Sequence, residues 1–146
     1  MQKHKIEIYT DGSCIGNPGP GGWGVIILLE DREVQIKGGE PDTTNNRMEM
    51  SAIINALRWL RNEAKIDETN IDNFSIKLHS DSNLLIQTLL QGWKKKANKD
   101  LWAELDSLHE GINVDWIWVK AHATNKYNNL VDEIALSEAM KQKKLL

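Results

Sequence analysis

Four carboxylates have the neighbours that metal-assisted chemistry requires. Asp11 closes an alternating run, Lys5–Asp11, and Asp81 directly follows another, Phe74–Ser80. In open α/β sheets the functional crevice lies beyond the carboxyl ends of neighbouring strands. If these two strands are parallel neighbours, both carboxylates project from one face, close to each other. Like charges so placed repel, and a divalent cation is the usual compensation. Glu49 and Asp132 fall near the starts of two helix-patterned stretches, which could carry them toward the same point. No His/Cys cluster offers zinc its usual donors, so an oxygen-only set points to a hard ion such as Mg²⁺. Each acid also has a purely structural reading. Asp11-Gly12 is a common turn dipeptide, and Asn46-x-x-Glu49 has the form of a capping box. Asp81 could cap the helix after it, and Asp132 suits the positive end of a helix dipole. Spacing alone leaves both readings open.

Two further features bear on a ligand. The glycine- and proline-rich stretch Gly12–Gly22 lacks the Gly-Lys-Ser/Thr of a phosphate loop. It also lacks the following helix of a dinucleotide site, but it offers backbone that a ligand can approach, with Asn17 at its tip. His122 lies in a polar loop past the last strand-like segment, where a histidine is more often a surface residue than a catalyst.

The elements that must position these groups follow from hydrophobic periodicity. Alternation predicts strands over residues 5–11, 23–29, 33–37, 74–80 and 114–120, the second and third forming a hairpin. Met48, Ala52, Ile53, Ala56, Leu57 and Leu60 recur at helical spacing, and shorter helices are expected over 83–90 and 101–108. A last helix is expected over 129–143. Three strands, a helix, a strand, helices, a strand and a helix form an α/β pattern. The early strands pair antiparallel, and the later ones need helical crossovers and so run parallel.

The chain has 146 residues, 40% hydrophobic and 27% charged, which suits one soluble domain with a real core. A single cysteine, Cys14, excludes an internal disulfide and fits a reducing compartment. The N-terminus has no apolar leader region, and no apolar run approaches ~18 residues. A cytoplasmic monomer with no membrane contact is expected. The net charge of −3 means that a polyanionic partner must be met by a local basic patch. Lys94, Lys95, Lys96 and Lys99 form one lysine cluster and Lys141, Lys143 and Lys144 another, although either could be no more than a solvated face.

Several blocks carry a family resemblance: Tyr-Thr-Asp-Gly-Ser at 9–13, Gly-Asn-Pro-Gly-Pro-Gly-Gly-Trp-Gly at 16–24 and Thr-Thr-Asn-Asn-Arg-Met-Glu at 43–49. To these are added Ser-Asp-Ser at 80–82, Asp-Leu-Trp at 100–102, Trp-Val-Lys-Ala-His at 118–122 and Asp-Glu-Ile-Ala at 132–135. In this order they resemble bacterial type I ribonuclease H over roughly residues 5–140. The resemblance implies a ribonuclease H-like fold, a five-stranded mixed sheet flanked by helices. Its first three strands are antiparallel and its last two parallel to the first. It implies an endonuclease that cuts the RNA strand of RNA–DNA hybrids, leaving 5′-phosphate and 3′-hydroxyl ends. The family's metal-binding acids fall on Asp11, Glu49, Asp81 and Asp132, holding two Mg²⁺ ions for which Mn²⁺ can substitute. The family's mobile histidine falls on His122.

By the same resemblance, Asn17, Asn45, Asn46 and Asn83, with the backbone near Cys14, match or nearly match positions lining the RNA strand. Thr44 and Asn98 resemble a phosphate pocket for the DNA strand, and Trp102, with Trp93, a sugar-contacting channel. Trp116 and Trp118 are read as sheet packing. No separate hybrid-binding module is expected. The sequence departs from the family in a basic protrusion shortened to Trp93–Trp102, and in Asp42, Ala121 and Asn83 replacing a basic residue, glycine and glutamine. These departures imply weaker hybrid binding than in basic relatives.

Overall fold

A computed structural model describes residues 2–120 and 125–145. Strands β1 (His4–Cys14), β2 (Gly19–Leu28) and β3 (Glu33–Thr43) come first, then helix α1 (Asn45–Asn62). Strand β4 (Phe74–Ser80), helices α2 (Asn83–Gln91) and α3 (Lys99–His109), strand β5 (Asp115–Trp118) and helix α4 (Lys126–Lys144) complete the chain, with a short 3₁₀ turn over Ile71–Asn73. The sheet order is β3-β2-β1-β4-β5. β1 and β3 pair antiparallel with β2, whereas β1–β4 and β4–β5 are parallel. The mixed sheet is the expected one.

Alternation divides the sheet into two faces. Ile6, Ile8, Val25, Ile27, Ile76 and Leu78 pack under α1, α2 and α3 in the main core. Tyr9 and Ile26 point the other way and meet Val131 of α4. The sheet is therefore a middle layer between helices, as in other α/β domains. No helix of the described residues is long and apolar enough to cross a membrane.

β1 and β3 run further than periodicity predicts, whereas β5 is shorter than the expected 114–120. Gly12–Gly22 is expected as a loop, yet β1 continues to Cys14 and pairs Gly12 with Trp23, Ser13 with Gly22 and Cys14 with Gly21. β3 likewise runs on through Gly38, Gly39 and Pro41 to Thr43. Glycine weakens strand patterning, but here it serves close packing of helices against the sheet. A Cβ on Gly12 would lie 2.3 Å from the Glu49 backbone nitrogen, and one on Gly22 2.4 Å from the Ala135 oxygen. Missing side chains let α1 and α4 sit directly on the strands.

Candidate active site

β1 and β4 set the centre of the site. Their parallel register pairs Tyr9 with His79 and Thr10 with Ser80, and one step further Asp11 and Asp81 lie side by side. Asp11 is 4% exposed, and its Oδ1 accepts a hydrogen bond from the Gly12 amide at 2.9 Å. Glu49 arrives from α1, whose first turns rest on Gly12. Ligand atoms of Asp11, Glu49 and Asp81 all lie within 4.8 Å of one another. Glu49 Oε2 is buried without a hydrogen-bond partner. An orphaned carboxylate oxygen facing two more carboxylates is costly unless a cation or proton meets it.

The carboxyls show that cost electrostatically. Burial, reinforced by Asp132 and then Asp81, raises Asp11 to about 8. Burial first, and then the charges of Asp11 and Asp81, push Glu49 well above the usual carboxylate range. Asp81 is raised mainly by burial, with repulsion from Asp132 adding to it. Asp132 thus faces Asp11 from α4 but stands outside the three-carboxylate point.

The structural readings of the four acids do not hold. Thr44 is the N-cap of α1, its hydroxyl accepting from the Arg47 amide at 3.2 Å, so Glu49 belongs to no capping box. Ser82, not Asp81, caps α2 through the Leu85 amide at 3.4 Å. Asn125 caps α4, which therefore begins before Asn129 and carries Asp132 in its second turn rather than its first. Asp11-Gly12 lies within a strand, not a turn. Other residues cap the three helices, and none of the four acids takes part in that capping.

Beside this centre the expected RNA-side residues gather at the start of α1. Asn17 Oδ1 accepts from the Asn45 amide at 3.0 Å, which ties the loop tip to the helix that Thr44, Asn45 and Asn46 begin. The Cys14 thiol lies 3.4 Å from both the Gly19 and Thr43 carbonyls. Asn83 is exposed in the first turn of α2. Asn98 adopts a left-handed backbone conformation at φ 56° before α3, and its Oδ1 accepts from Arg47 at 3.2 Å. The same Arg47 makes two hydrogen bonds to Asp100, at 3.0 and 2.8 Å.

A cleft between α1, α2 and α3 is lined by Asn46, Leu84 and Thr88, by Lys94, Lys95 and Lys96, and by Trp102. Trp102 is 6% exposed and forms the floor of this cleft. The Lys95 ammonium sits over its ring, 5.1 Å from the centroid. Trp93 is the exposed tryptophan of the segment. His122 lies outside the described residues.

Sequence reasoning missed two residues. Arg47, which organises Asn98 and Asp100, gives no periodic signal because its partners lie on another helix. Trp118, read as packing, is half-exposed and its indole N–H donates to the Asp81 carbonyl at 3.2 Å. Trp116 does pack, being buried edge-on against His109.

A family model described as RNase H matches residues 3–140. The ribonuclease H of Ehrlichia canis is 46% identical, over 94% of this chain and 97% of its own length. Among solved structures, LC9-RNase H1, described as a type 1 RNase H, superposes with a TM-score of 0.78 at 28% identity, covering 97% of this chain and 75% of that one. LC11-RNase H1, solved in complex with an RNA/DNA hybrid, does so with a TM-score of 0.75 at 26% identity, covering 93% and 97%.

Proposed function

Because the chain belongs to the type I ribonuclease H family, we propose that it hydrolyses the RNA strand of RNA–DNA hybrids. The reaction is a two-metal-ion phosphoryl transfer that leaves 5′-phosphate and 3′-hydroxyl ends. One observation carries this reading: Asp11, Glu49 and Asp81 meet within 4.8 Å at the carboxyl edge of neighbouring parallel strands.

The donors fit the cation. All are carboxylate oxygens, the choice of a hard ion such as Mg²⁺, and Glu49 Oε2 is buried with nothing else to bond. Asp11 and Asp81 would be the shared ligands, with Glu49 and Asp132 completing the two coordination shells. Bound Mg²⁺, or Mn²⁺ in its place, supplies Lewis-acid activation of water and charge stabilisation at the departing 3′ oxygen. The protein's part is to hold the acids rigidly. The Gly12 amide fixes one oxygen of Asp11, and the helix seated on Gly12 carries Glu49 in beside it. His122 would assist proton movement or product release on the leaving side without binding metal.

Hybrid recognition needs a polar group at the 2′-hydroxyl, the feature that separates RNA from DNA. Asn17, Asn45, Asn46 and Asn83, with the Cys14 backbone, line that strand. Thr44 and Asn98 receive a phosphate of the DNA strand, and Lys94, Lys95 and Lys96 border its path over Trp102. We take the chain to act as a single catalytic domain, a monomer in the cytoplasm.

The test is cleavage of end-labelled RNA–DNA hybrid, single-stranded RNA and duplex DNA, with Mg²⁺, with Mn²⁺ and with chelator. Only the hybrid's RNA strand should be cut, only with a divalent ion, and the products should be phosphorylated at their 5′ ends. Cutting that persists in chelator, or that ignores the DNA strand, would overturn the assignment.

A further inference from the structure

β4 ends at Ser80, the last residue paired both with β1, through Thr10, and with β5, through Trp118. α2 begins at Asn83 under the Ser82 cap. Asp81 therefore lies in a gap, past the last rung of the ladder and ahead of the first helical turn. Its carboxylate nevertheless belongs to a cluster in which small displacements change how three oxygens share a point.

β5 closes this gap from the side. The Val119 amide donates to the Ser80 carbonyl at 2.9 Å, and the Trp118 indole Nε1–H donates to the Asp81 carbonyl at 3.2 Å. Trp118 is 48% exposed, whereas Trp116, two residues earlier on the same face, is 7% exposed. Trp116 is held by packing, whereas Trp118 makes a specific polar contact, its indole N–H on the Asp81 carbonyl. What an indole offers at such a place, and a purely apolar side chain does not, is a donor on a rigid arm.

We propose that Trp118 is a positioning residue for the metal centre. Its N–H fixes the Asp81 backbone, so that the carboxylate keeps the geometry in which it meets Asp11 and Glu49. The inference rests on the metal-centre reading above and adds to it a residue that touches neither ion nor substrate. Partners that orient ligands in this way typically govern metal affinity by ~10–100-fold.

Calorimetric titration of the substrate-free protein with Mg²⁺ and with Mn²⁺ tests it directly. Trp118→Phe keeps an aromatic ring and removes the donor. Placing the benzothiophene analogue of tryptophan at position 118 alone keeps the bicyclic shape and removes only the N–H. Both should weaken divalent binding roughly tenfold, with little change in the melting temperature of the metal-free protein. Hybrid KM should hold, and kcat should recover at high Mg²⁺. Metal affinity within twofold of wild type in the benzothiophene protein would overturn the proposal and leave Trp118 a packing residue. If wild type binds Mg²⁺ but leaves hybrid uncut, the nuclease assignment falls while the positioning role stands on the titration. If wild type binds no divalent ion, both fall.

Discussion

The acidic centre and the lysine-bearing segment between α2 and α3 are built by opposite means. Asp11 stands on β1, Asp81 just past the end of β4 and Glu49 on a helix seated on glycine, and Ile8, Met48 and Met50 of the same strand and helix are fully buried. Residues 93–97 have no regular structure and are mostly exposed. Lys95 anchors the segment through Asp106, at 2.9 Å, and through the Trp102 ring. Converging like charges have to be forced together by a core, because nothing local favours them. Under the proposed reading, charges that meet a polyanion need only be displayed. Rigidity is thus concentrated where the protein resists its own electrostatics, and freedom where a partner supplies the attraction.

The sharpest break in that contrast is Asp81→Asn. Removing a central carboxylate should cut hydrolysis at least about a hundredfold, since even outer-shell partners of a metal cost 10–100-fold. Hybrid binding in gel shift should survive, because the lysine segment is untouched. Equal cleavage by variant and wild type would sink the proposed centre.

Gly12→Ala attacks the scaffold instead. The added Cβ meets the Glu49 amide, backbone against backbone, so α1 has to lift from β1. A loss of about 3 kcal/mol in denaturant unfolding is expected from overpacking of this kind, together with loss of Mg²⁺ binding. A variant of wild-type stability would show that α1 does not need a bare backbone at Gly12.

A change of pH separates the two regions without mutation. Asp11, Glu49 and Asp81 all have folded-state pKa values raised above their unfolded ones. Their protonated forms therefore favour folding below the unfolded values. That contribution fades as pH climbs toward Asp11's value of about 8. The metal-free melting temperature should fall between mildly acidic and mildly alkaline buffer, and Mg²⁺ should restore it most at the alkaline end. A metal-free protein equally stable across that range would contradict the mutual repulsion.

The smallest effect belongs to the exposed segment. Replacing Lys94, Lys95 and Lys96 by alanine should raise KM for hybrid by about tenfold at low salt while kcat holds. The plot of log K against log salt should flatten by roughly 0.7–0.9 for each phosphate that the variant leaves unneutralised. A fall in kcat with unchanged KM would mean that the segment is coupled to the acids after all.

Much of this architecture is legible in the chain. Period-two runs mark β1 and β4, and period-3.6 runs mark α1 and α4, because a half-buried strand or helix must show its apolar side at its own repeat. The Gly12–Gly22 stretch reads as a loop although most of it is strand. Its glycines answer to α1 and α4, whose sequences lie far away, and nothing local records that they will press on the strands. Periodicity places Asp132 one turn too early because Asn125, the true cap of α4, stands ahead of the apolar repeat. Arg47 and Trp118 carry no periodic mark, since each acts through a hydrogen bond to a distant segment.

Residue order alone settled which side chains are available for chemistry: four acids, an oxygen-only donor set, one histidine in a loop and a short lysine cluster. It left open whether each acid was a helix cap, a turn former or a ligand, because all three uses look alike within a few residues. Folding decided that by giving the caps to Thr44, Ser82 and Asn125 and by setting the β1–β4 register. A shift of one residue in that register would turn Asp81 away from Asp11, since successive strand residues face opposite sides. Proximity between like charges is a property of the assembled core, and no stretch of sequence contains it.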